Sequence, residues 1–518
     1  MKILLTTTMC LAASVMYAQT SSVRKISVAD LHDKIEGGWA GKMIGVSLGA
    51  PTEFRSLGKI LEGPLQPWTP DRVSNSLDQD DLYVNMVFAK VLDDKGLKAT
   101  SQDFGDMFRD SKFSLWHANL TARRNLKRGI PADQAGSPAY NSHANDIDFQ
   151  IEADFIGLMA PGLPQSDVDL SWRAGRVMNY GDGIYGGMFV SCMYSTAFFE
   201  KDPRKIVEGG LACMPAASPY AKTIADVLAW SKENPNDWKK VWQLIEDKWD
   251  KRDPCPSGAL RPFNIDAKLN GAYLALGLLY GNSDFGKTID IATRAGQDSD
   301  CNPSTAGGIL GVAIGYRAIP DEWKSGIDGI AEKKFNFTDF TFHSIVDSTQ
   351  KRAIALVEQR GGKLQGDTLE VKTEQAKAPK LELWDDYGSP VERVATDDAR
   401  WTFKGEWTSP QGRGRRPNTS KISGVKDAEA SISFNGTGAI VVGSYLLTGG
   451  KADVYLDGKL NRTVDVYPDE EHAKGGEAVW HAFGLKPGDH TVRLVVRGET
   501  YPGSKGTDIQ LEDIVIFR

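Results

Sequence analysis

Two short acidic clusters hold the residue types best suited to chemistry: Asp78-Gln-Asp-Asp81 and Gly296-Gln-Asp-Ser-Asp-Cys-Asn302. The first sets Asp80 beside Asp81; the second spaces Asp298 and Asp300 as a DxD pair. Both fall at predicted helix N-termini, the first ahead of the periodic apolar residues Val84, Val87, Phe88 and Val91. A carboxylate in that position can simply cap the helix and complement its dipole. If the two clusters converge, capping is not enough. Carboxylates brought together repel and must be neutralised by protons or cations. Oxygen-rich clusters suit Mg²⁺, Mn²⁺ or Ca²⁺ rather than Zn²⁺. Taken alone, the DxD is equally compatible with a structural Ca²⁺ site.

The elements that would position these residues carry glycine at a fixed spacing. Gly37, Gly41, Gly45 and Gly49 recur every four residues, as do Gly307, Gly311 and Gly315. Glycine destabilises a helix by about 1 kcal/mol relative to alanine. A stripe of it on one face implies close approach of two helix backbones, and glycine-rich loops are the alternative. From Ile26 to Glu358 apolar residues recur at three- and four-residue spacing, as in Ala221 to Trp230 and Trp238 to Trp249. Roughly ten to fifteen helices of ordinary length are expected there. From about Leu383 the period becomes two, as in Ala430-Ser-Ile-Ser-Phe434 and Thr491-Val-Arg-Leu-Val-Val496. Asn435-Gly436, Asp457-Gly458 and Pro487-Gly488 supply turns. Residues 361–382 are polar and read as a linker or a fraying helix end.

The fold expected is therefore multidomain α and β. Residues 24–360 form a large all-α catalytic domain and 383–518 an antiparallel β-sandwich of jelly-roll type. Residues 1–18 read as a signal peptide: Lys2, an apolar run from Ile3 to Val15, and a cut after Ala18. Cys10 follows Thr7-Thr8-Met9, a poor lipobox. Localisation is expected to be periplasmic or extracellular. The remaining cysteines, Cys192, Cys213, Cys255 and Cys301, form no CxxC pair and read as buried or free thiols. The 518 residues are 41% hydrophobic and 25% charged, with a net charge of −7. That balance argues against nucleic-acid binding. Beyond residue 20 no apolar run is long enough to span a bilayer. Nothing in the sequence specifies an oligomeric state.

Three blocks, in this order, resemble those of the ADP-ribosylglycohydrolases, including the dinitrogenase-reductase-activating glycohydrolases. Gly45-Val-Ser-Leu-Gly-Ala-Pro-Thr-Glu53 is similar to that family's G-x-x-x-G-x-P-x-E, Gln79-Asp80-Asp81 to its T-D-D, and Gly296-Gln-Asp-Ser-Asp-Cys301 to its G-G-D-x-D-T. The resemblance spans residues 30 to 350. It implies an all-helical domain holding two Mg²⁺ or Mn²⁺ ions. Asp80, Asp81, Asp298 and Asp300 would be the carboxylate ligands, and Glu53 would lie on a mobile loop over the site. Gln79 and Cys301 replace the family's metal-binding threonines; an amide oxygen can still ligate, whereas a sulfur suits Mg²⁺ poorly. The resemblance also points to Asn141, Asp148, Gln150 and Asp154 as a region near the substrate.

Other residues are candidates for contact with the substrate. The glycines of Tyr180-Gly-Asp-Gly-Ile-Tyr-Gly-Gly-Met188 would let a ligand approach the backbone beside Asp182, Tyr185, Gly186 and Gly187, or form a tight interhelical turn. Trp116, His117 and Asn119 would line a cleft or fill a buried structural position. In the β-region Trp401, Trp407, Tyr445, Tyr455, Tyr467 and Trp480 would pack a core or stack on sugar rings. The reaction implied is metal-assisted hydrolysis of an N- or O-glycosidic bond, with Glu53 or Asp81 accepting a proton from water. Export and a module resembling carbohydrate-binding jelly rolls point to a glycan or small glycoside as substrate. Two other readings stay open. One is release of ADP-ribose; the other is a non-catalytic glycan-binding protein built on a degenerate enzyme domain.

Overall fold

The computed structural model describes residues 22–250, 253–384, 388–410, 419–470 and 472–518. The expected signal peptide lies outside the described residues. Among the described residues, sixteen α-helical segments, several only four or five residues long, run between Val28 and Gln359, and antiparallel sheets follow. The expected order of a helical domain and a β-sandwich is the order observed. No helix among the described residues is long and apolar enough to cross a membrane.

The first helix, Val28–Gly49, starts where the Ser27 hydroxyl accepts a hydrogen bond from the Asp30 amide at 2.9 Å. From Gly37 onward every residue is buried. A helix apolar on all sides belongs at a domain centre. It packs antiparallel to the helix Cys301–Ile314, which is buried over the same length. A Cβ on Gly37 would collide with the Gly311 carbonyl, and one on Gly41 with the Gly307 carbonyl. Further along, Gly45 abuts Pro303 and Gly49 abuts Ser299 and Asp300. The stripes are thus the seam of two touching backbones. Gly315 is different: it ends its helix at φ +83°, a conformation that glycine adopts without strain.

One expectation needs correcting. Residues 361–382 are not simply a linker, and the helical domain is not free of strands. Strands β1 (Val23–Ser27), β2 (Lys363–Gln365) and β3 (Thr368–Lys372) form an antiparallel sheet in the order β1-β3-β2. Leu369 and Val371 alternate with polar residues and are buried in the helical core. Three short strands paired across nearly the whole chain leave only a weak local period.

The described residues of the β-region form ten strands: β4 (Pro390–Ala395), β5 (Thr402–Lys404), β6 (Lys421–Ser423), β7 (Glu429–Gly436), β8 (Gly438–Tyr445), β9 (Gly450–Leu456), β10 (Lys459–Asp465), β11 (Lys474–Ala482), β12 (Gly488–Thr500) and β13 (Ile509–Phe517). They make two sheets, β10-β9-β12-β7-β5 and β11-β8-β13-β4, with β6 paired to β13. Ile432, Val454 and Leu494 of one sheet share a core with Val441, Ile514 and Ile516 of the other. Asp457 and Gly458 both have positive φ in the two-residue turn between β9 and β10. The outer face of β8 and β13 is also buried, because Ile440, Val442, Val515 and Phe517 meet Ala259 of the helical domain. Polar contacts complete that junction. Arg124 donates to Glu477 at 3.1 Å and lies 3.7 Å over the Tyr445 ring, while Arg128 pairs with Asp465 and Asp469. Trp401 and Trp480 are buried in the sandwich core, so neither offers a face to a sugar.

The cysteines also differ from expectation. Cys192 and Cys213 form a disulfide, and Cys255 and Cys301 are free and buried. The 21-residue separation closes a loop whose constraint on the unfolded chain contributes about 3 kcal/mol.

Two outcomes follow. Gly41→Ala should lower stability by roughly 1–3 kcal/mol by urea denaturation, because the methyl meets a carbonyl. Helix propensity alone predicts a gain of about 1 kcal/mol, so an unchanged or raised midpoint would contradict the packing account. A Cys192→Ala, Cys213→Ala double variant should lose about 2–4 kcal/mol, and a reductant should lower the melting temperature of the parent but not of the variant.

Candidate active site

The close seam delivers the first and third sequence blocks to one place. With Gly49 against Ser299 and Asp300, the chain leaving the first helix must pass the N-terminus of Cys301–Ile314. The Phe54 amide donates to the Gln297 carbonyl at 3.1 Å, fixing Glu53 beside Asp298 and Asp300. The helix Asp80–Lys95 brings in the second block. Asp80, Asp298, Asp300, Glu53, Gln79 and Cys301 then line one cavity of about 510 Å³. That volume is in the range of small-molecule sites.

Helix capping does not account for these carboxylates. Gln79 and Asp300 occupy the two N-cap positions, and neither makes a side-chain capping bond. Gln79 instead donates its amide to Asn75 Oδ1 at 3.0 Å. The acidic groups gather into two overlapping sets whose ligand atoms lie within 4.8 Å of one another: Glu53, Asp298 and Asp300, and Asp81, Asp300 and Cys301. Asp81 Oδ2, Asp298 Oδ1 and Asp300 Oδ1 are buried without a hydrogen-bond partner. Burial, together with the neighbouring carboxylates, pushes Asp80 and Asp300 well above the ordinary range and Asp298 up to about 7. Glu53 is raised by burial and by Asp81. Unpartnered buried oxygens among mutually repelling acids fit a hard divalent cation, with Asp300 common to both sets. Burial and the nearby carboxylates raise the Cys301 thiol, which therefore stays protonated and is a poor ligand for such an ion.

Asp81 belongs to the second acidic set but lies behind the cavity wall. It is fully buried and does not reach the cavity; its Oδ1 meets Lys42 Nζ at 3.3 Å. Lys42 also donates to Asp154 at 2.9 Å and to the Ile151 carbonyl at 3.0 Å. Burial opposes the Lys42 charge, but Asp154 and Asp81 outweigh it and hold its pKa above the usual lysine range. Tyr194 donates to the other Asp154 oxygen at 2.8 Å. Sequence reasoning missed Lys42. The signal was a single charge inside the apolar, glycine-striped run from Gly37 to Gly49, where a buried lysine needs acidic partners.

Opposite the acids the wall is aromatic. Trp116 stands exposed at the mouth, with Lys474 of the sandwich 4.9 Å over its ring. His117 and Asn119 also line the cavity, and Asp148 accepts from the amides of Asn119 at 2.9 Å and Ala118 at 3.3 Å. Asp148 is thus both a lining residue and the cap of the helix His117–Lys127.

The other residues expected on the substrate side lie away from this cavity. Asn141 is buried and donates to the Ala118 and Met178 carbonyls. Gln150 accepts from the Tyr220 hydroxyl at 2.6 Å, and Asp182 from the Tyr220 amide. Tyr185 ties Lys380 and Glu382 to the helix Asp182–Ala197. Gly186 and Gly187 lie inside that helix, where a Cβ would strike Gln150 and Phe149. None of these six lines the cavity. Their glycines and amides serve interhelical packing, which needs the same residue types as ligand approach.

Several known proteins are similar to parts of this chain. A structure described as an ADP-ribosylglycohydrolase-related protein complex matches with a TM-score of 0.39 and 15% identity, over 63% of this chain and 98% of that one. An A type blood α-D-galactosamine galactosaminidase of Flavonifractor plautii is 27% identical over 179 residues, 34% of this chain and 16% of its own length. An A type blood N-acetyl-α-D-galactosamine deacetylase of the same organism is 32% identical over 98 residues, 19% of this chain and 12% of its own. The chain thus spans less than a fifth of either of these relatives. Residues 27–358, holding all three blocks and every acidic residue of the cavity, match the ADP-ribosylglycohydrolase family, to which this chain belongs.

Proposed function

We propose that this protein is an exported glycoside hydrolase that uses bound Mg²⁺ or Mn²⁺ to cleave an N- or O-glycosidic bond of a glycan or glycoside. The observation that carries the reading is the set of unpartnered, buried carboxylate oxygens at the wall of a cavity sized for a small ligand. Asp80, Asp81, Asp298 and Asp300 would hold the cations. When bound, such ions orient sugar hydroxyls and lower the pKa of a water. Glu53 faces the cavity and has a raised proton affinity, so it is the better proton acceptor; Asp81, locked to Lys42, serves to position. The aromatic residues of the lining offer apolar faces to a sugar ring as the bond breaks through an oxocarbenium-like transition state. The short matches to two enzymes named for A type blood galactosamine sugars favour an amino-sugar glycan. The basic, apolar N-terminal run and the Cys192–Cys213 disulfide support export, because disulfides persist in oxidising compartments.

Asp298→Asn should abolish turnover while leaving the far-ultraviolet circular dichroism unchanged, and EDTA should do the same to the parent until Mg²⁺ or Mn²⁺ is restored. Glu53→Gln should lower kcat by roughly 10²–10⁴-fold. Full activity in EDTA would refute the metal-dependent reading. The product decides the substrate: mass spectrometry of a glycan panel should show a released monosaccharide, whereas free ADP-ribose from a modified protein would establish the family's named activity here.

Stability offers a test independent of substrate. Asp298 binds its proton more tightly folded (about 7) than unfolded (about 3.8), so the folded state holds more protons between these values. The metal-free protein should therefore lose melting temperature as pH rises from about 4 to 7. Mn²⁺ should restore it, with the larger gain at the higher pH, and Asp298→Asn should reduce both trends without abolishing them, since burial also raises Asp80, Asp300, Asp148 and Asp253.

A further inference from the structure

A second donor cluster lies in the wall of the same cavity, and its chemistry differs from that of the four carboxylates. His117, His143 and Asp146 present ligand atoms within 4.8 Å of one another. His117 Nδ1 stands 3.7 Å from Asp146 Oδ2, too far for a hydrogen bond. His143 Nδ1 lies 2.7 Å from the same oxygen. The side chains of His143 and Asp146 are each 1% exposed, yet His143 Nε2 and Asp146 Oδ1 have no hydrogen-bond partner. Leaving a buried carboxylate oxygen unpartnered is unfavourable. It is more so here, because Asp253, Asp148, Asp266 and Glu477 add negative charge around Asp146.

Of the three residues, His117 reaches the cavity, and His143 and Asp146 lie buried behind it. His117 lines the cavity and stacks on Phe263, with ring centroids 5.7 Å apart. It does so at φ +46°, a strained conformation for a residue with a Cβ. On the far side, His143 Nε2 faces Glu477 Oε2 of β11 at 4.0 Å. At that distance the carboxylate is an electrostatic neighbour of the ring and not a hydrogen-bond partner. Cys255 lies near Asp146 but is already bonded to Asp253 and Gly258, so it is not counted as a ligand.

We propose that His117, His143 and Asp146 bind a divalent transition metal ion, Zn²⁺ in particular. The ion takes the place of the proton shared by His143 Nδ1 and Asp146, which leaves to solvent. Two imidazoles and one carboxylate are the donor set of zinc sites that keep a fourth position open, and His117 links the cluster to the cavity. The occupant of that position is water or an oxygen of the substrate. The cavity would then hold two kinds of site, hard cations on the acids and a softer ion on the histidines.

The test uses the untagged full chain, stripped with EDTA, supplied with excess Mg²⁺ and titrated with Zn²⁺ against a competing chelator. About one Zn²⁺ per chain is expected by elemental analysis, with affinity unchanged in Asp298→Asn. His143→Ala should weaken Zn²⁺ by roughly 10–100-fold or more. Because His143 is buried, His117→Asn is the second variant; asparagine tolerates positive φ, and the same loss is expected. Co²⁺ in place of Zn²⁺ should give visible absorption in the parent and none in His117→Asn. Absence of Zn²⁺ binding, binding indifferent to both histidine variants, or binding lost only in Asp298→Asn would each overturn the proposal. The readout is metal content, so its failure is distinct from failure of the glycosidase reading.

Discussion

Where the helices Val28–Gly49 and Cys301–Ile314 cross, Gly37 and Gly41 of one meet Gly311 and Gly307 of the other with no side chain between them. Removing Cβ atoms lets the peptide backbones touch, and at that distance the register admits no slip. The consequence at the end of the seam is chemical. Gly49 abuts Ser299 and Asp300, so the turn bearing Glu53 emerges beside the DxD pair. A wider crossing would separate these groups. The helix-forming tendency lost at each glycine is offset by the packing, a local conflict of the kind proteins concentrate near functional sites.

The same central helix also sends a cation into the interior. Lys42 follows Gly41 directly, and its ammonium sits between Asp81 and Asp154. Breaking a buried ion pair by removing one partner is strongly destabilising, so the three groups are interdependent. Asp81 has one oxygen on Lys42 and the other unpartnered, within the metal-suited set that includes Asp300. The Lys42 pair thereby fixes one edge of an acidic site whose other members would otherwise repel.

The sandwich bears on the same cavity through one helix. His117–Lys127 begins at the cavity, where Asp148 caps it, and its Arg124 docks on Glu477 and Tyr445, followed by Arg128 on Asp465 and Asp469. Lys474 covers the Trp116 ring at the mouth. The β-region thus reaches the cavity mouth through Lys474, while β8 is apolar on both faces because its outer face packs on Ala259 of the helical domain.

Much of this was legible in the order of residues, and the legible part was local. Four-residue glycine spacing, the two acidic clusters and the change of period near residue 383 each describe a face or a turn that neighbouring residues determine together. The periodicities therefore pointed to the helical domain and the sandwich, and the resemblance carried by the blocks pointed to Glu53, Asp80, Asp298 and Asp300, which line the cavity. What tertiary structure alone decided depends on where distant segments meet. Asp81 turned inward because Lys42 lies across from it, 39 residues earlier. Asn141, Gln150, Tyr185 and the Gly186-Gly187 pair went to packing, since a buried amide or glycine reads the same whether a ligand or a helix approaches it. Strands β1 and β3 paired across some 350 residues, and Cys192 found Cys213. Desolvation and charge coupling act through space, so no spacing along the chain encodes which carboxylate stays open to a ligand and which is sealed in the core.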